Sequence, residues 1–134
     1  MLPSEILTDI KNGNFDRFAE YIHAIEYPIL NKTDSYVVTF DDAGYTLTMN
    51  ASGEKTFTLP VIGAENIGAY FTFVKKGAGK VNILANTGQT VGASTTAGTI
   101  YDNVAAETYA TVTLEAISTT QWVIRGFHGT WAAT

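Results

Sequence analysis

The sequence predicts a mainly β protein: an antiparallel β-sandwich or barrel-like domain preceded by two short N-terminal helices. Three observations carry this. From Tyr36 onward, apolar and polar residues alternate with a period of two, as on a pleated strand with one wet face. Eighteen of the twenty Thr lie from Thr39 on, and a β-branched side chain is better accommodated on the outer face of a sheet than in a helix. Gly-, Asn- and Ser-containing stretches interrupt the alternating runs at the spacing of turns between short strands.

Residues 1–33 have a different texture and are read as a helical docking segment. Ser4 is suited to cap a first helix, with Glu5 at its positive end and Asn12-Gly13 as its stop. Asn14 is suited to cap a second, in which Phe15, Phe18, Ala19, Ile22 and Ile25 fall on one face. Pro28 ends it, because proline lacks the amide hydrogen and crowds the preceding turn. The 15, 18, 22, 25 spacing is also that of a coiled-coil seam, but it lasts under two heptads, so it suits packing on the same domain, on a larger assembly or in a short bundle between subunits.

Residues 34–126 are assigned to the β-domain. Tyr45, Leu47 and Met49 alternate with Thr46 and Thr48, and Ala51-Ser52-Gly53-Glu54 turns the chain. Phe57 and Leu59 alternate with Thr56 and Thr58. Tyr70 to Val74 forms a strand, Gly77-Ala78-Gly79 a turn, and Lys80 to Leu84 the next strand. Ala110, Val112, Leu114 and Ala116 alternate with Thr111, Thr113 and Glu115, and Gln121 to Arg125 closes the series. Trp122 with Ile124, and Phe71 with Phe73, occupy positions that fill a sandwich core. Residues 127–134 are a tail in which Gly126 and Gly129 bracket Phe127 and His128. Trp131 lies beyond them, placed either to dock back on its own sandwich or to insert into a neighbour.

Composition narrows the function. A hydrophobic fraction of 46% suits a packed core, and a net charge of −5 with eight Lys and Arg leaves no basic face for a phosphate backbone. Nucleic acid is not expected as a partner. No apolar run approaches a membrane span, and the Met1-Leu2-Pro3-Ser4-Glu5 start has no basic leader followed by an apolar stretch, so neither membrane insertion nor a signal peptide is expected. The chain has no Cys, which excludes disulfides and thiolate chemistry.

The stretch from about Phe57 to Ile124 resembles a β-domain common in virion proteins of tailed phages, especially small head-surface and tail-fibre modules. The resemblance is carried by Thr56-Phe57-Thr58-Leu59-Pro60, Gly68-Ala69-Tyr70-Phe71-Thr72-Phe73-Val74 and Lys76-Gly77-Ala78-Gly79. It continues in Val81-Asn82-Ile83, Thr90-Val91-Gly92, Ala110-Thr111-Val112-Thr113-Leu114 and Gln121-Trp122-Val123-Ile124. It implies a virion protein made in the bacterial cytoplasm, without a catalytic set, and a homotrimer. The expected partners are a second and third copy, capsid or tail subunits, and a host surface glycan. The chain departs from the pattern in its two helices where a fibre has a long shaft, and in Gly126-Phe127-His128-Gly129-Thr130-Trp131 continuing past the closing strand.

No catalytic, cofactor-binding or metal site is assigned. His23 and His128 are about a hundred positions apart, and no Gly-x-Ser-x-Gly elbow occurs. Asp41-Asp42-Ala43-Gly44 is read as a turn in which Gly44 supplies a positive φ, ahead of a calcium loop. The Gly-x-Gly at Gly77 joins two strands, whereas a dinucleotide site has a helix after it. The expected function is that of a non-enzymatic accessory subunit on a capsid or tail, with Phe15, Phe18, Ile22, Ile25, Phe127 and Trp131 as docking or oligomer contacts. The alternative is a carbohydrate-binding module using exposed aromatic side chains.

Overall fold

The computed structural model describes Gly13 and residues 28–134. Both expected helices, and with them Phe15, Phe18, Ile22 and Ile25, lie outside the described residues. Strands β1 (Ile29–Lys32), β3 (Thr46–Met49), β5 (Tyr70–Lys75), β9 (Ala110–Ser118), β10 (Gln121–His128) and β7 (Thr90–Val91) form a six-stranded sheet in that order. β11 (Ala132–Ala133), β8 (Thr99–Asp102), β6 (Val81–Leu84), β4 (Lys55–Thr58) and β2 (Tyr36–Val37) form a five-stranded sheet. The mainly β expectation holds. The first strand begins at Ile29, inside the span read as helical, and β10 and β11 carry regular structure through the span read as a tail.

The expected antiparallel topology is corrected. From β1 to β6 the chain crosses to the opposite sheet at every step, so each strand lies beside the one two before it, in the same direction. β1, β3 and β5 are parallel neighbours, and so are β2, β4 and β6. These six strands are three rungs of a two-sided coil. The antiparallel part comes afterwards, where β8 pairs with β6, β9 with β5, β10 with β9 and β11 with β8. Alternation of apolar and polar residues fixes which face of a strand is buried but not its direction, so both topologies satisfy the same pattern.

The last two rungs match in length. Thr46 is in register with Thr72, and Lys55 with Val81, so both sheets advance by twenty-six residues. The turn between the strands therefore stacks as well: Lys76 N donates to Met49 O at 2.8 Å, Gly79 N to Ala51 O at 2.9 Å, and Lys55 N to Lys80 O at 2.9 Å. At Gly77 and Gly79 an added Cβ would collide with the backbone of Ala51 and Gly53. Glycine is needed at these two positions for close approach, and neither has a positive φ.

Between the sheets the core is aromatic at its centre. Phe57, Phe71, Phe73 and Trp122 are fully buried. Phe57 and Phe73 meet across the sheets at 4.9 Å between ring centroids, and within the six-stranded sheet Phe71 and Trp122 lie 5.6 Å apart. Ile124 is partly buried against them, so all four residues assigned to the core from their strand faces pack there. Phe40, in the 3-10 turn Phe40–Asp42, stacks on Trp122 and closes one end. Asp41-Asp42-Ala43-Gly44 is a turn as expected. Gly44 has φ +81°, and the Asp42 carboxylate accepts from Thr39 N at 3.1 Å and Tyr36 OH at 2.9 Å. The Asp42 hydrogen bond, with burial behind it, raises the pKa of the Tyr36 phenol.

Candidate functional site

The outer face of the five-stranded sheet carries a shallow groove of about 280 Å³ lined by Glu54, Thr56, Lys80, Asn82, Leu84, Thr99, Tyr101 and Thr134. Register builds its floor. Phe57, Ile83 and Ile100 point into the core, so their strand neighbours Thr56, Asn82 and Tyr101 point outward in one row. Leu84 and Thr99 form the adjacent row. Asn82, although outward, is only 8% exposed, because its amide donates to Glu54 Oε1 at 2.7 Å and lies 3.4 Å from Thr56 Oγ1.

At the mouth of the groove Lys80 Nζ lies 3.5 Å from Glu54 and 4.3 Å above the Tyr101 ring. The Asn82 amide first, and the Lys80 charge second, hold the Glu54 carboxyl below its ordinary pKa. The opposite wall is Thr134, which follows β11. Thr134 N donates to Thr99 O at 2.9 Å, and Thr134 O accepts from Thr95 N at 2.8 Å. The groove is thus a strip of hydroxyl, amide and phenol groups, whose two charged side chains, Glu54 and Lys80, pair with each other.

A second polar cluster lies at the end of the core and is buried. Lys75 and Asp102, both at inward strand positions, have no exposure. Lys75 Nζ donates to Val104 O at 2.9 Å and Gly77 O at 3.1 Å. Asp102 Oδ1 accepts from Val104 N at 2.9 Å. Its second oxygen has no hydrogen-bond partner among the described residues and lies beside the Glu107 carboxyl. Burial first, and the neighbouring Glu107 carboxyl second, raise the Asp102 pKa. Glu107 is held low, chiefly by the Thr130 hydroxyl and amide, each at 2.7 Å. The acid pair thereby clasps the turn that leads into β11. Among the described residues no group of three or more His, Asp or Glu side chains is placed to hold a metal ion.

Of the residues singled out in the sequence, Phe127 is 66% exposed near the end of β10. Trp131 is partly buried against the core of its own sandwich, and its indole Nε1 donates to His128 O at 3.1 Å. In the structure of the single chain Trp131 rests on its own sandwich. The structure does not bring Trp131 together with the groove. The groove residues went unremarked in the sequence because Thr56, Asn82 and Tyr101 are separated by some twenty residues and meet only through the pairing of β4, β6 and β8. Lys75 did leave a signal, since it continues the Phe71, Phe73 phase into the core.

The chain matches no protein-family model and no curated protein.

Proposed function

We propose that this chain is a non-enzymatic structural subunit of a phage particle, an accessory module on the capsid or tail that associates as a homotrimer. The ordered sequence elements from Thr56 to Ile124 support this reading, and one structural observation carries it further. The rung stack is asymmetric. On one side the coil is followed by the antiparallel strands β8 to β11, while on the other its first rung, β1 and β2, forms the edge of both sheets among the described residues. Residues 1–27 join the domain at that edge. This polarity suits a module mounted by its N-terminal side on other virion proteins, with the sandwich outward.

Quantitative mass spectrometry of purified particles tests the role. Hundreds of copies per particle place it on the capsid, and a few to a few tens on the tail or neck; absence from particles refutes it. Sedimentation equilibrium tests the assembly, where a lone species of 14.4 kDa at micromolar concentration rules out the trimer. An obligate trimer interface buries on the order of 2,000 Å² or more in total. A second reading, a carbohydrate-binding module for host or cell-surface glycans, is favoured by the groove on the five-stranded sheet.

A further inference from the structure

We infer that the groove over Thr56, Asn82 and Tyr101 is a binding site for a neutral, hydroxyl-rich sugar ring. The inference rests on the carbohydrate-binding reading and names its site and ligand class. Three features of the lining select this class. First, the polar groups are hydroxyls, an amide and a phenol arrayed along a sheet face, matched to a ligand that both donates and accepts hydrogen bonds along one edge. The backbone beneath them is held by β4, β6, β8 and β11 in continuous pairing, so the groups are fixed before a ligand arrives.

Second, the lining mixes these groups with apolar surface. Leu84 adjoins Asn82 along β6, and the Tyr101 ring stands beside it on β8. A pyranose presents C–H faces as well as hydroxyls, and an aromatic ring accepts such a face. Lys80 covers that ring, but its side chain is 34% exposed and reaches in from the groove mouth, so it can swing aside.

Third, the two charged side chains of the site balance each other. Glu54 is ionised and Lys80 is its counter-ion, so an anionic sugar meets the carboxylate and a cationic one meets the ammonium. A neutral ring avoids both penalties. The volume of about 280 Å³ lies at the small end of ligand sites, which fits one ring of a longer chain lying along the groove.

The test uses the full chain with methyl glucoside, methyl galactoside, methyl N-acetylglucosaminide and neutral polysaccharides, read by saturation-transfer NMR and titration calorimetry. At least one neutral sugar is expected to bind. Tyr101→Ala should weaken that binding about tenfold or more, and Thr56→Val, which keeps the side-chain shape, by roughly threefold to tenfold through loss of one hydroxyl. Circular dichroism of each variant confirms the fold, and Thr56→Val serves where Tyr101→Ala disturbs it. If no sugar binds, the carbohydrate reading and the site fall together. If a sugar binds equally well to both variants, the reading stands and this site is wrong. Tighter binding of sialylated or uronic acid sugars than of neutral ones overturns the assignment of ligand class.

Discussion

Gly79→Ala is the sharpest probe of the stacked rungs. A Cβ at Gly79 would overlap the carbonyl oxygen of Gly53 and come within 2.7 Å of its carbonyl carbon and 2.8 Å of its nitrogen, where ordinary contact begins near 3.4 Å. These are backbone atoms of the neighbouring turn, and the hydrogen bond from Gly79 N to Ala51 O at 2.9 Å holds the two turns together. No rotamer change relieves the clash, so the turns must separate and weaken the ladder between Met49 and Lys80. Overpacking typically costs about 1–3 kcal/mol, and a backbone obstacle puts this site near the upper figure. For a domain of this size that corresponds to a fall in Tm of roughly 12 °C or more. Gly126→Ala is the control, because no atom lies within 4 Å of its added Cβ and its φ is not positive. It should melt at or slightly above the parent temperature. Thermal unfolding followed by circular dichroism reads both. A Gly79→Ala protein melting within ~2 °C of the parent refutes the stacked turn.

Three further perturbations follow from the core and the acid pair. Phe57→Ala should cost about 3–5 kcal/mol in urea unfolding, and a double-mutant cycle with Phe73→Ala should return a coupling of about 0.5–1.5 kcal/mol; additivity would mean that the rings do not interact. Asp102 has a raised pKa, so its contribution to stability is present at low pH and lost as pH rises through the folded-state value. Glu107 is lowered, so its contribution is lost as pH falls. Asp102→Asn removes this titration, so its urea midpoint should decline less than the parent's as pH rises; identical slopes would remove Asp102 as the cause. Deleting residues 129–134 removes β11, the Thr130 bonds to Glu107 and the packing of Trp131, and should lower monomer stability measurably; an unchanged urea midpoint would return the tail to the role of an anchor for another subunit.

The strands were legible because their alternation reports burial directly: Leu47, Phe57, Phe71, Phe73, Val112, Leu114 and Trp122 are all core residues, each in the phase its neighbours dictate. Direction and pairing were not legible in the same way. A run such as Thr46-Leu47-Thr48-Met49 reads identically whether its partner runs with it or against it. The decisive clue lay instead in comparing segments, since Ala51-Ser52-Gly53 and Gly77-Ala78-Gly79 occupy equivalent places in two stretches of equal length. Read singly, each is only a turn. The candidate groove stayed hidden for the same reason, because its floor consists of one residue from each of three strands that topology alone assembles. The clasp of Glu107 on Thr130 likewise spans twenty-three positions with no motif to mark it.

The equal length of the second and third rungs makes the unit between them self-complementary. The upper edge of one rung offers the same spacing of backbone donors and acceptors as the lower edge of the next, through the turn as well as the strands. A copied twenty-six-residue segment inserted in phase would therefore find its partners already in place on both sides, lengthening each sheet by one strand without shifting either register. The coil can grow by whole steps while its antiparallel end stays as it is. The length of the coil and the surface presented at its far end are thus separate variables in this architecture.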